Sequence, residues 1–230
     1  MELIHRTFED LQYIIRYPEN YDSAKKYPVI LFLHGAGTRS KNITVLKNNS
    51  FFKNSGAFLD LNFITVAPLC ERETWFDHFE TLVRFAKSIF TAPDTDPERF
   101  YLTGNSMGGY GTWQLAISHP ELFAAIVPIC GGGMYWDAGR LINIPVWAFH
   151  GEKDGTVLTE ESKKMVDAIN KRGGNAKLTL YPEAGHDSWT ATYTNRAVYE
   201  WLLSHKNENA KALVNEYADG SDKFGERENT

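Results

Sequence analysis

The chain has 230 residues, 43% of them hydrophobic and 23% charged, a balance that predicts one globular domain and argues against an intrinsically disordered chain. Its net charge of −5, without a cluster of Lys and Arg, argues against binding to nucleic acid. No apolar run is long enough to cross a bilayer, and the first residues lack the pattern of a secretion signal, so we expect no membrane association and a cytoplasmic location.

Strand-like and helix-like patterns alternate along the chain. The first predicted strand, residues 11–17, is amphipathic, whereas the second, residues 28–33, is fully apolar and typical of the buried interior of a parallel sheet. The remaining predicted strands cover residues 62–67, 99–104, 123–130, 146–150 and 176–181, and the predicted helices cover residues 76–90, 110–119, 159–171 and 193–205. This alternation predicts a single-domain α/β fold with a mostly parallel central sheet and helices on both faces.

The composition changes near the end of the chain. Residues 1–205 contain all the predicted strands and helices, and we assign them to one domain. Residues 206–230 are polar and charged, so we expect a C-terminal appendage that is partly helical or disordered. We find no internal repeat and no linker that would divide the domain.

The most informative motif is the sequence Gly-Asn-Ser-Met-Gly around Ser106, which joins a predicted strand to the helix that follows it. Small residues two before and two after the serine permit a tight turn that leaves the serine exposed at its tip. The N-terminus of the following helix points its positive end at any developing anion. This context is typical of a nucleophile elbow, and Ser106 is therefore the candidate nucleophile. The alternative is an N-capping serine in an ordinary glycine-rich turn.

A serine hydroxyl needs a histidine base, and that histidine needs a carboxylate to hold its tautomer and offset its charge. Both residue types follow later strands: Asp154 comes after the strand at 146–150, and His186 comes after the strand at 176–181. Glu152 is an alternative to Asp154, but the glycine after Asp154 and the nearby start of a helix favour the aspartate as the turn residue. The chain thus predicts a triad in the order serine, aspartate, histidine.

The remaining six histidines are expected to have other roles. His34 and His150 lie in His-Gly turns at strand ends, where we expect them to hold loops in place through hydrogen bonds. The others are expected to be solvated at an edge or on helix surfaces: His5, His78, His119 and His205.

Ester cleavage also forms an oxyanion, which requires preformed donors. The N–H of Met107, directly after the nucleophile, is one candidate. The second is expected in the His-Gly-Ala-Gly loop after the apolar strand, with Ala36 preferred and Gly37 as the alternative. The alternative for this loop is a simple turn at the end of a strand, since only its position ahead of a nucleophile elbow makes the pattern specific.

Four aromatic residues fall in loops next to these positions and are candidates for a substrate-binding wall: Trp75, Tyr135, Trp136 and Trp189. Packing in the core is the alternative for each. Residues 131–144, where related architectures insert a helical lid, are too few for a lid domain. We therefore expect an open site suited to soluble esters.

The chain contains two cysteines, Cys70 and Cys130, which are too few for a disulfide framework and have no metal-ligand spacing. We expect both to be free thiols. The chemistry predicted above requires no metal and no organic cofactor.

Taken together, the His-Gly-Ala-Gly loop, the elbow around Ser106, the residues following the strand at 123–130, and the loops that carry Asp154 and His186 resemble the α/β-hydrolases grouped as dienelactone-hydrolase-like, polyhydroxybutyrate-depolymerase-like or predicted-peptidase esterases. The resemblance covers about residues 11–205. True dienelactone hydrolases have a cysteine where this chain has Ser106, and secreted depolymerases carry export signals and binding modules that this sequence does not show. The resemblance therefore implies the superfamily without its narrow activities.

The predicted function is that of a serine carboxylesterase, which hydrolyses soluble carboxylic esters through an acyl-enzyme. Short-chain esters, aryl or feruloyl esters and acetylated sugars remain open as substrates. A serine peptidase, a thioesterase or acyltransferase, and a catalytically silent binding protein of the same fold are the alternatives. A small-molecule ester is the expected partner, and the oligomeric state is open.

Overall fold

The central feature of the computed structural model, which describes residues 2–54 and 58–218, is one eight-stranded sheet of order β1-β2-β4-β3-β5-β6-β7-β8. The strands are β1 (Ile4–Phe8), β2 (Leu11–Arg16), β3 (Tyr27–Leu33), β4 (Ile64–Pro68), β5 (Thr95–Asn105), β6 (Ala125–Ile129), β7 (Val146–Gly151) and β8 (Ala176–Tyr181). Strands β1 and β2 form an antiparallel hairpin at one edge, and β2 runs antiparallel to β4. The other neighbouring strands, in the order β4-β3-β5-β6-β7-β8, pair in parallel. The predicted α/β fold is confirmed.

Helices cover both faces of this sheet. They are α1 (Ser50–Lys53), α2 (Phe79–Phe90), α3 (Met107–Ser118), α4 (Glu160–Asn170), α5 (Trp189–Thr194), α6 (Arg196–Leu203) and α7 (Ala210–Ala218). Residues of α2, α3 and α4 belong to one core, and residues of α1, α5 and α6 belong to the other. Of the helices in the described ranges, none combines the length and apolar character that a bilayer span requires.

Strand β3 explains why a fully apolar run is needed in the middle of the sheet. Val29, Leu31 and Leu33 belong to the first core, whereas Ile30 and Phe32 belong to the second. All five side chains have no exposed surface. Successive side chains of a strand point to opposite faces, and a sheet with helices on both faces therefore buries every position of its central strands.

The helix predicted over residues 193–205 is divided in the structure. Helix α5 ends at Thr194, Asn195 has an extended backbone, and α6 begins at Arg196. The Asn195 side chain accepts a hydrogen bond from the N–H of Ala197 and so caps the second helix. Asparagine at a cap competes with helix continuation, which is the physical reason for the break.

Residues 207–218, the first part of the predicted appendage, contact the domain. Ala210, at the start of α7, is fully buried. The Tyr217 hydroxyl donates to Glu121 Oε1 at 3.0 Å, and its ring lies 6.1 Å from the ring of Phe90. This docking buries one side of the helix, whereas Lys211, Asn215 and Glu216 lie on its exposed side. Residues 219–230, the rest of the predicted appendage, lie outside the described residues.

Candidate active site

The three residues predicted to form a triad meet at the carboxyl edge of the sheet. Ser106 follows β5, Asp154 follows β7, and His186 follows β8. Parallel strands end at the same edge, so loops that are far apart in the sequence converge there.

The turn at Ser106 has the geometry of a nucleophile elbow. Ser106 has a φ of 56°, a left-handed value that is unusual for a residue other than glycine. A Cβ at Gly108 would lie 1.9 Å from the Leu33 carbonyl oxygen, and one at Gly104 would lie 2.4 Å from the Gly108 carbonyl oxygen. Ser106 occupies the N-cap position of α3 but makes no capping hydrogen bond through its side chain. Its hydroxyl is therefore available for the neighbouring histidine.

His186 connects the serine to the aspartate. Its Nε2 lies 2.8 Å from Ser106 Oγ, and its Nδ1 lies 2.8 Å from Asp154 Oδ2. An ionised carboxylate only accepts hydrogen bonds, so Nδ1 carries the proton and Nε2 is free to accept the proton of the serine hydroxyl. This is the tautomer that a general base requires.

The Asp154 carboxylate is buried and fully hydrogen-bonded. Its Oδ1 accepts the backbone N–H groups of Thr156 at 2.9 Å and Val157 at 3.0 Å. Burial raises the pKa of Asp154, but the hydrogen bonds from His186, Val157 and Thr156 lower it by more than burial raises it. The pKa of Asp154 therefore lies below its ordinary value. Glu152, the alternative acid, is exposed. The carboxylate at position 154 is therefore ionised at neutral pH.

The two predicted oxyanion donors begin helical turns. Ala36 is the first residue of the 3-10 helix Ala36–Thr38, and Met107 is the first residue of α3. The N–H group of a first helical residue has no acceptor within its helix, which leaves both groups available to an oxyanion. Ala36 and Gly37 line the same cavity as Ser106. The donor roles of Ala36 and Met107 stay predictions.

His34 holds the loop that carries Ala36. Its Nδ1 donates to the Gly35 carbonyl at 2.8 Å, and its Nε2 accepts the backbone N–H of Cys70 at 3.0 Å. Burial lowers the pKa of His34 to about 4, although the Gly35 carbonyl raises it, so the ring is neutral. The predicted role of His34 in holding a loop is confirmed.

Trp75 is a correction to the predicted substrate wall. Its ring is fully buried, its Nε1 donates to the His34 carbonyl at 3.0 Å, and it packs beside Gly111 of α3. The 3-10 helix Trp75–His78 turns this side chain into the core, so it presents no surface to a substrate.

The other three aromatic candidates separate into two places. The Trp189 ring lies 5.3 Å from the His186 ring, nearly perpendicular to it, and lines the cavity that contains Ser106. Tyr135 and Trp136 are 48% and 65% exposed on the 3-10 helix Tyr135–Leu141 and do not line that cavity. Substrate binding by these three residues stays a prediction.

Sequence reasoning missed part of the cavity wall. The cavity has a volume of about 480 Å³, and residues 38 and 48–50, between β3 and β4, form one side of it. Nothing in their composition distinguishes them from an ordinary polar loop. A groove of similar size, about 490 Å³, lies at the amino end of the sheet beside α7 and contains none of the candidate residues.

His150 lies directly behind Asp154, and the sequence indicated only that it would hold a loop. Its ring is fully buried, its Nε2 donates to the Val157 carbonyl at 2.9 Å, and the same nitrogen lies 3.2 Å from Asp154 Oδ2. Its Nδ1 lies 2.8 Å from Ser162 Oγ. The loop-holding role is confirmed, and the contact with Asp154 is an addition to it.

Two further histidines differ from the prediction of solvated side chains. His78 is 3% exposed and His119 is 8% exposed. His78 lies on the inward side of the 3-10 helix Trp75–His78, and His119 Nδ1 lies 2.9 Å from Glu121 Oε1 in a turn that α7 covers. Both are buried because short helical turns pack against the domain where exposed helix surfaces were expected.

Cys130 is the nearest group that could assist in binding a metal ion. Its Sγ, a carboxylate oxygen of Asp154 and a ring nitrogen of His186 all lie within 4.8 Å of one another. Burial raises the pKa of the Cys130 thiol to about 12, and a metal would need the thiolate. A metal ion would also compete with the 2.8 Å hydrogen bond between His186 and Asp154. The cluster therefore fits a proton-transfer site better than a metal site.

The sheet order, the elbow at its carboxyl edge and the position of the three residues define an α/β-hydrolase fold. The chain belongs to the dienelactone hydrolase family, whose model matches residues 70–220. The resemblance stated from the sequence is confirmed at this level.

Similar proteins include peptidases and esterases. Dipeptidyl-peptidase 5 of Porphyromonas gingivalis is 22% identical over 239 residues, which cover 80% of this chain and 34% of that protein, so the chain spans about a third of its length. A solved structure described as a thermostable esterase is 30% identical, with a TM-score of 0.76 over 89% of this chain and 63% of that one. Est1E from Butyrivibrio proteoclasticus is 17% identical, with a TM-score of 0.65 over 88% of this chain and 98% of its own, and shows the fold alone.

Proposed function

We propose that this hydrolase is a serine carboxylesterase that acts on soluble carboxylic esters through Ser106, His186 and Asp154. The observation that carries the proposal is the continuous chain of two hydrogen bonds, each 2.8 Å long, from Ser106 Oγ through the imidazole to Asp154 Oδ2. Such a chain converts a weak nucleophile into an effective one, because the base and its orienting carboxylate are already in place.

In the first step, His186 Nε2 removes the proton of Ser106 while Oγ attacks the ester carbonyl carbon. The N–H groups of Met107 and Ala36 would donate hydrogen bonds to the oxyanion that forms. Protonated His186 then gives its proton to the leaving alcohol, and the acyl group remains on Ser106. Water repeats the attack with the same histidine as base, which releases the acid and restores the enzyme. These steps use only side chains, backbone N–H groups and water.

A serine peptidase is the second candidate, because relatives named dipeptidyl-peptidase 5 match 80% and 92% of this chain. Peptide cleavage usually requires an anchor for a charged peptide terminus. Within the described residues, the cavity at Ser106 has no Asp, Glu, Lys or Arg in its lining. This neutral lining favours esters over peptides with a free terminus. Paired ester and amide substrates with the same acyl group would distinguish the two activities.

The decisive test is Ser106→Ala. We expect kcat for a chromogenic short-chain ester to fall by about 10⁴-fold, because the nucleophile is removed while the binding surfaces remain. A fluorophosphonate probe should label the unmodified protein and fail to label the variant.

Ser204→Ala provides the control, since Ser204 is exposed after the end of α6, away from the cavity. This variant should retain both the activity and the labelling. Retention of most ester hydrolysis by Ser106→Ala would remove Ser106 from its proposed role, and an unlabelled parent protein would favour the silent binding protein.

A further inference from the structure

The cavity in front of Ser106 presents more apolar than polar surface, and many of its lining side chains are neutral groups that can form hydrogen bonds. Besides Ser106 and His186, six polar side chains line it, all of them uncharged: Thr38, Asn48, Asn49, Ser50, Asn105 and Thr156. In the part of the chain that the structure describes, the lining includes no acidic side chain and no Lys or Arg. A charged substrate group would lose its hydration there without gaining a counter-ion, which is costly.

Three of these side chains, Thr38, Asn49 and Ser50, are already engaged in holding the cavity wall. Asn49 Nδ2 donates to Thr38 Oγ1 at 3.0 Å, and Asn49 Oδ1 accepts the N–H of Phe51 at 2.9 Å. Ser50 Oγ lies 3.3 Å from Thr190 Oγ1, which ties the wall to α5. The wall is thus held in position without the side chains of Asn48, Asn105 and Thr156.

Those three side chains have no hydrogen-bond partner among the described residues. Asn105 is the most informative, because it is only 7% exposed and lies directly before Ser106. The amide nitrogen and oxygen of Asn105 reach the open space of the cavity, where a ligand can form hydrogen bonds with them. Asn48 and Thr156 are exposed at the rim of the same cavity. Amides and hydroxyls both donate and accept, as do the hydroxyl groups of a polyol.

Trp189 supplies the apolar part of the same surface. Its ring is half-buried against the second core and lies 5.3 Å from His186. In the proposed mechanism His186 protonates the leaving alcohol oxygen, so a group next to His186 is next to the alcohol portion of the ester. A flat aromatic face beside free amides matches a ring that has C–H groups on its faces and hydroxyls at its edge.

We propose that the alcohol portion of the substrate is a neutral polyhydroxylated group, such as a sugar, which binds between Trp189 and the free amides of Asn48 and Asn105. This inference rests on the proposed esterase function and narrows its substrate class. The acyl carbon–oxygen bond breaks, the polyol leaves with the proton from His186, and water supplies the oxygen of the released acid.

The test compares three acetyl esters, so that the acyl group is constant: methyl 6-O-acetylglucoside, butyl acetate and acetylcholine. We expect kcat/KM for the acetylglucoside to exceed that for butyl acetate by about tenfold, the effect of one or two net hydrogen bonds. Acetylcholine should be the poorest substrate, because its cation meets no counter-charge. Equal or faster hydrolysis of butyl acetate or acetylcholine would overturn the inference.

Variants test whether the cavity causes the preference. Asn48→Ala and Trp189→Leu should each lower the ratio of kcat/KM for acetylglucoside over butyl acetate by about fivefold, an effect of roughly one hydrogen bond or one ring contact. The control is Asn175→Ala, since Asn175 is exposed and does not line this cavity, and it should leave the ratio unchanged. A ratio that does not respond to either cavity variant would overturn the assignment.

The outcome also separates this inference from the proposed function. If a fluorophosphonate labels Ser106 and butyl acetate is hydrolysed without a preference for the sugar ester, only the substrate class is wrong. If no acetyl ester is hydrolysed and Ser106 is not labelled, the esterase proposal fails, and this inference fails with it.

Discussion

Single residues at the site depend on one another through Asp154. One oxygen of its carboxylate faces both His186 at 2.8 Å and His150 at 3.2 Å, and the other accepts two backbone N–H groups. The carboxylate has little freedom to rotate, because nitrogen atoms lie within hydrogen-bond distance of both of its oxygens. The orientation of His186 therefore depends on a residue whose side chain no solvent reaches.

Asp154→Asn tests the role of this carboxylate. The carboxamide has a similar shape but does not hold the Nδ1–H tautomer of His186 or offset its positive charge. We expect kcat for an ester to fall by about 10³- to 10⁴-fold with little change in the fold. Steady-state kinetics with a chromogenic ester would measure the effect.

Glu152→Gln is the matched control, because Glu152 is an exposed carboxylate two residues away. It should change kcat by less than about twofold, as is usual for a surface charge outside the site. A large loss in Glu152→Gln together with a small loss in Asp154→Asn would reverse the assignment of the acid.

At the scale of elements, the elbow requires β5, α3 and the end of β3 to approach one another closely. Gly104 and Gly108, which flank Ser106, permit this approach, because backbone atoms of neighbouring residues occupy the space that a side chain would fill. Helix α3 also brings Gly109 and Gly111 against neighbouring elements, with Gly111 beside Trp75. The position of the nucleophile is thus set by the packing of a helix onto two strands.

Gly108→Ala tests this packing. Its Cβ would lie 1.9 Å from the backbone carbonyl oxygen of Leu33, which no side-chain rotation can relieve. We expect the free energy of unfolding to fall by about 3 kcal/mol or more, since β3 and α3 must separate. Urea denaturation followed by circular dichroism would measure the loss.

Gly155→Ala is the comparison, because a Cβ at Gly155 meets nothing within 4 Å. Its free energy of unfolding should stay within about 1 kcal/mol of the parent. Similar stabilities for the two variants would show that the close approach at Gly108 is not required.

The buried side chains of the whole molecule lie in two cores and in several short helical turns. The central strands contribute to both cores, and α7 covers the first core at the amino end of the sheet. Burial extends to ionisable groups such as His34, which is held neutral between the Gly35 carbonyl and the Cys70 N–H. The stability of the fold should therefore fall as the pH drops below the ordinary pKa of histidine.

His34 gives this pH dependence a direction. The pKa of His34 is lowered by burial from 6.5 to about 4 in the folded protein. The unfolded chain therefore binds more protons than the folded chain between these values, and stability is lost as the pH falls from about 6.5 to about 4. The loss should be about 3 kcal/mol over this window.

Comparison with His34→Asn isolates the effect. Asparagine keeps a donor near the Gly35 carbonyl but does not titrate, so the stability difference between the parent and this variant should shrink as the pH falls from 6.5 to 4. Denaturation in urea at several pH values would measure it. A difference that stays constant across the window would show that His34 is not held neutral by the fold.

Local pattern was sufficient for much of the fold and for the candidate residues. The apolar run of β3 and the glycines around Ser106 are short-range signals, because burial on both faces and a tight turn each restrict the residues at the positions concerned. The order of Ser106, Asp154 and His186 after successive strands then follows from the rule that loops at the carboxyl edge converge.

Only the tertiary structure decided which side chains face the cavity and which face the core. Trp75 and Trp189 are both aromatic residues that the sequence predicts in loops, yet one is fully buried and the other lies beside His186. The contact of His150 with Asp154 and the cavity wall at Asn48 likewise depend on how the sheet order brings separate segments together. A residue's neighbours in sequence determine its backbone preferences, whereas its orientation depends on packing between elements that local pattern does not record.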